Sequence, residues 1–124
     1  MGSTEQPASA GSRVFVLAGG LCGAAGVALS AAAAHLGGAF VGTAASFLLM
    51  HAPVFLAVGL IGAERALRVA SLVLLVGLVL FCGDLLARDF LGSRLFPMSA
   101  PIGGTLLIGG WLAIAASAFM PRRA

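Results

Sequence analysis

Three side chains in this sequence could handle protons: His35, His51 and Asp84. Each lies in or beside a long apolar run, where polar residues mark functional sites by default. Desolvation raises the pKa of such a carboxylate, and a charged histidine beside it lowers it again. Pairs of that kind serve proton relays and coupled transport, so His51 with Asp84 is one reading. A structural reading competes with it and is the one favoured. Asp84 and Arg88 are spaced i, i+4 in the favourable order on one helical face, so Arg88 can neutralise the carboxylate while its head reaches outward. A buried histidine such as His51 is expected to bond a carbonyl on a neighbouring helix. Pro53 cannot donate to the Leu49 carbonyl, which predicts a kink and an acceptor close by. His35 is expected to cap the first apolar run before Gly37-Gly38.

Little else in the chain resembles chemistry. Cys22 and Cys82 differ in depth by roughly 7 Å at a rise of about 1.5 Å per residue, which strains a disulfide. Both read as small packing residues. There is no nucleophile elbow, no phosphate loop and no recognised metal-ligand spacing. The expectation is a protein with no catalytic, cofactor-binding or metal-binding residue, and not an enzyme.

The elements that must hold these side chains follow from the charge pattern. Between Arg13 and Glu64 there are fifty residues without an Asp, Glu, Lys or Arg. Hydrophobic residues make up 60% of the chain and charged ones 9%, with a mean hydropathy of +1.12, which excludes an ordinary soluble domain. Four apolar segments emerge, at residues 14–34, 44–62, 69–87 and 102–120, each long enough to cross a bilayer core of about 30 Å. The runs are continuous and do not alternate, so helices are predicted. The fold class is an all-α membrane protein: a four-transmembrane-helix bundle with short loops. One domain over residues 13–124 follows a polar tail, residues 1–12, expected to be disordered and cytoplasmic. Arg13, the apolar run and the small residues 31–34 imitate a signal peptide. That run is too long for one, and a second span follows almost at once.

All seven basic residues are Arg, placed singly or in pairs at segment ends. Nucleic acid is therefore not the expected partner; the lipid bilayer is. Arg13, Arg65, Arg68, Arg122 and Arg123 fall on one side and Arg88 and Arg94 on the other, five against two, which predicts cytoplasmic termini. That topology puts His35, His51 and Asp84 in the extracytoplasmic half. Gly19, Gly23, Gly26 and Ser30 line one face of the first span, and Thr105, Gly109, Ala113 and Ala116 one face of the fourth. Such faces let helix backbones approach closely. They are expected to pack on the bulkier second and third spans. Trp111 reads as a packing residue, and Glu64 with Arg68 as a solvated pair.

Four stretches resemble the YgdD-like small membrane proteins, catalogued as domain of unknown function four-two-three. They are Ala31-Ala32-Ala33-Ala34-His35, Met50-His51-Ala52, Phe81-Cys82-Gly83-Asp84-Leu85, and Pro101-Ile102-Gly103-Gly104 with Gly110-Trp111-Leu112. The resemblance implies a four-span bacterial inner-membrane protein without an assigned activity. The chain departs from the family at Asp84, where Ser is frequent, leaving His35 and His51 as better candidates for a shared role. The leading expectation is a structural or accessory membrane protein whose partner is a second copy of itself or another membrane protein. The alternative is a small oligomeric transporter or proton conductor using His51 and Asp84.

Overall fold

The computed structural model describes residues 10–121 and contains four helices. They are α1 (Ala10–Leu36), α2 (Val41–Ile61), α3 (Arg65–Leu91) and α4 (Ser99–Ser117), and each is long and apolar enough to cross a membrane. Even α4, with 19 residues, reaches about 28 Å at the standard helical rise. The observed ends differ from the expected spans by a few residues. Helix α1 begins at Ala10, so residues 10–12 are helical and not tail; the rest of the expected tail lies outside the described residues. Helix α4 stops at Ser117, and residues 118–120 form a turn in which the Ala118 amide donates to the Ala115 carbonyl at 3.2 Å. Pro101 lies in its first turn, where a missing amide donor costs nothing. The α2–α3 connection is short because Gly62 takes a left-handed conformation, φ 63°, that a side chain would resist, and its amide donates to the Val58 carbonyl.

The helices pack as two hairpins, α1–α2 and α3–α4, joined along α2 and α3. Among the described residues, no Cα of α1 lies within 8 Å of α3 or α4, and none of α2 within 8 Å of α4. One buried cluster forms the core, centred on Phe55 of α2 and Leu74 and Leu78 of α3, all fully buried, with Phe15 of α1 stacked on Phe55. Outward-facing Leu, Val and Ile on every helix would be misplaced in water and are at home in lipid.

Missing side chains bring the backbones of each hairpin together. A Cβ on Gly19 would lie 2.9 Å from the Leu56 nitrogen, and one on Gly26 would lie 2.6 Å from Leu49 Cγ. Gly23, on the same stripe, is looser, with the Ala52 Cβ at 3.9 Å; Ser30 turns back to donate to the Gly26 carbonyl at 2.8 Å. In the second hairpin the close approach falls on Gly77, Gly103 and Gly110. A Cβ on Gly103 would sit 2.5 Å from the Phe81 nitrogen, and one on Gly110 would sit 2.9 Å from that of Leu74. Gly109, expected to pack, does not: it lies on the outer surface with nothing within 4 Å of a built Cβ. Its companions Thr105, Ala113 and Ala116 are also exposed. The helical turn puts Gly103, Leu107 and Gly110 on α3, and the small-residue strip on the far side.

Candidate functional site

Two polar clusters are built into the bundle. The first occupies the end that carries the α1–α2 and α3–α4 connections. The last turns of α3 supply Asp84, Arg88 and Asp89. Asp84 is fully buried. Its Oδ1 accepts the Leu95 amide at 3.0 Å and the Ser99 hydroxyl at 2.6 Å. Its Oδ2 faces Arg88 Nε at 3.0 Å. One carboxylate therefore ties α3 to the following loop and to the first residue of α4. The Arg88 guanidinium lies 5.4 Å from the centre of the Phe40 ring, close enough for a cation–π attraction that reaches the other hairpin.

Asp89, one residue on, serves α2. Its Oδ2 accepts the Phe40 and Val41 amides, both at 2.8 Å. Phe40 occupies the N-cap position of α2 and has no side chain able to cap. A carboxylate 49 residues away in sequence does that work, at a helix terminus where negative charge is favoured. Gly38 makes room for it. A Cβ there would come 2.7 Å from Asp89 Oδ2, and its φ of +105° suits glycine. Sequence reasoning passed over Asp89; the signal was the uncapped apolar start of α2.

The second cluster is nearer the middle of the bundle. His51 is 2% exposed, and its ring bridges two elements. Its Nδ1 lies 2.7 Å from the Phe47 carbonyl, and its Nε2 lies 3.1 Å from the Trp111 indole nitrogen. An indole can only donate, so Nε2 accepts and the proton belongs on Nδ1: the neutral tautomer satisfies both bonds. The carbonyl is thus one on its own helix, not the Leu49 carbonyl nor one across the bundle. The cross-bundle partner is Trp111. Phe47 stacks on Phe81 at 4.7 Å, and the His51 and Trp111 rings are 5.6 Å apart. These aromatic groups, with Met50, Gly104 and Leu107, line a groove of about 300 Å³ beside α4.

His51 and Asp84 have separate partners and do not form the pair considered from sequence. His35 is exposed in the last turn of α1, where the cap is made by the Gly37 amide donating to the Ala33 carbonyl at 3.2 Å. Cys22 and Cys82 are buried free thiols on α1 and α3, with Cα atoms beyond disulfide reach; Cys82 donates weakly to the Ala44 carbonyl at 3.7 Å. Glu64 and Arg68 meet through the backbone, the Arg68 amide donating to the Glu64 carbonyl at 2.9 Å. No group of three or more His, Cys, Asp or Glu suited to a metal occurs among the described residues.

Four long apolar helices around a few buried polar ties define an integral membrane protein that crosses the bilayer repeatedly. Within that class, the chain belongs to the family described as Protein of unknown function (DUF423), which matches residues 22–104. It is similar to a UPF0382 membrane protein of Haemophilus influenzae, 35% identical over 83 residues, covering 64% of this chain and 66% of that protein. It is also similar to UPF0382 membrane protein SH2409 of Staphylococcus haemolyticus, 28% identical over 117 residues, covering 86% of this chain and 96% of that protein. No solved structure matches.

Proposed function

We propose that this protein is a non-enzymatic accessory protein of the bacterial inner membrane, with both termini cytoplasmic, that packs against a membrane partner or a second copy of itself. The observation that carries this reading is the use made of Asp84: its Oδ1 ties α3 to the following loop and to α4, and its Oδ2 is held by Arg88 one turn along the same helix. A proton carrier must release its partners in each cycle, whereas these partners join three successive segments. His51 is likewise spent on Phe47 and Trp111. The flanks of α1 and α4 turned away from the hairpins leave surface for a partner helix. The excess of arginine on the side of the termini supports the orientation.

Proton flux tests the reading directly. Proteoliposomes with an internal pH dye, under an imposed gradient, should leak no faster with wild type than empty liposomes do. Flux present in wild type and lost in Asp84→Asn would replace the accessory role with conduction.

A further inference from the structure

We propose that the groove between the start of α1 and the end of α2 binds an anionic phospholipid, with Arg13 on its phosphate. The groove measures about 470 Å³ and is lined by Ser12, Arg13, Val16, Leu17, Gly59 and Leu60. Its floor comes from Gly59. A Cβ there would meet the Ser12 carbonyl oxygen at 2.8 Å and the Val16 nitrogen at 2.9 Å, so α1 lies directly on the α2 backbone. Leu17 and Leu60 stand up as walls, 62% and 74% exposed.

The order of groups along the helix axis is that of a phospholipid. Arg13, Leu17 and Leu21 follow one another at i, i+4 and i+8, giving a cation at the end and then roughly 12 Å of apolar track. Beside them a Cβ on Gly20 would meet nothing within 4 Å, so the track stays open for an acyl chain. A guanidinium matches phosphate oxygens in a two-pronged geometry that a point charge does not reproduce.

Arg88, at the opposite end, is held by Asp84 at 3.0 Å, whereas among the described residues no carboxylate lies within ion-pair distance of Arg13. Among the described residues Arg65, Arg68 and Arg94 also lack a carboxylate within ion-pair distance, but Arg13 is the arginine that lines this groove. Arg65 and Arg68 belong to the same end of the bundle and add to the attraction for an anionic leaflet.

Native mass spectrometry of the full chain in detergent, with phosphatidylglycerol or phosphatidylcholine added at equal concentration, reads the site. Wild type should retain one phosphatidylglycerol in preference to phosphatidylcholine. Arg13→Gln should lower that retention about fivefold, the factor one basic residue contributes at a membrane surface. Arg13→Lys should recover part of it, and Arg68→Gln, which leaves the groove intact, should stay closer to wild type than Arg13→Gln. Leu17→Trp, which keeps the arginine and fills the groove, should lower retention of both lipids. Helix content by circular dichroism confirms that each variant is folded. Unchanged phosphatidylglycerol retention in Arg13→Gln or in Leu17→Trp overturns the site, as does equal retention of the two lipids by wild type.

Discussion

At the scale of single residues, the bundle uses its few polar side chains as fasteners. The clearest is the Asp84–Arg88 pair, readable from its i, i+4 spacing because both partners ride one helix. Removing Arg88 leaves a buried carboxylate short of its counter-charge, so Arg88→Ala should cost up to about 3 kcal/mol. Asp84→Asn combined with Arg88→Ala should recover part of that loss; strict additivity in a double-mutant cycle would break the assignment. The bond between His51 and Trp111 was not readable in the same way. Its partners are 60 residues apart, on helices whose backbones do not touch, and hydropathy cannot report which faces converge. Phenylalanine at either position, and at both, should expose a coupling of about 0.6 kcal/mol, with a ceiling near 1.7. Trp111 is the chain's one tryptophan, so His51→Phe should also shift its emission. An unmoved spectrum with zero coupling would mean that the two rings are merely neighbours.

Among the elements, the glycines decide which helices become partners. The sequence marks α1 and α4 as small-faced, yet each helix offers small residues in more than one direction. On α1 the stripe through Gly19 and Gly26 is the face that packs. On α4 the doublets Gly103-Gly104 and Gly109-Gly110 each place neighbouring glycines about 100° apart around the axis. Periodicity alone does not say which of them meets α3. Substitution separates the two faces. Gly103→Ala and Gly110→Ala force a methyl against the α3 backbone and should each cost about 1–3 kcal/mol. Gly109→Ala should stay within about 0.5 kcal/mol. Equal losses at Gly109 and Gly110, measured by unfolding in mixed detergent micelles, would place Gly109 in an interface. Asp89 teaches a related lesson, since a cap supplied from another helix has no local motif. Asp89→Ala should destabilise by about 1–2 kcal/mol by exposing the first amides of α2, and protease sensitivity should rise at the α1–α2 connection before it rises elsewhere.

For the whole molecule, the number of spans was legible because a bilayer demands about 20 apolar residues per crossing and tolerates few charges. Short connections keep consecutive helices adjacent but do not choose the pairing, since the shortest, residues 62–64, joins α2 to α3 while the tight pairs are α1–α2 and α3–α4. The open layout does not follow from either. Closure of the bundle depends on which faces are small enough to admit a backbone, and α1 uses its small face on α2 alone. Orientation rests on a different quantity, the arginine imbalance between the two ends. Five arginines against two is a modest bias, and two of the five, Arg122 and Arg123, lie at the extreme terminus. A reporter active only in the cytoplasm should therefore work when fused after Ala124 and fail when inserted near Phe40. Arg65 and Arg68 lie in the first turn of α3, beside a connection too short to cross independently of its flanking helices. Replacing both with Gln leaves three arginines against two, and a fraction of molecules should then report activity near Phe40. Activity at both sites in the wild-type chain would break the inferred topology, because an even number of spans cannot separate Ala124 from the α2–α3 connection while placing it beside Phe40.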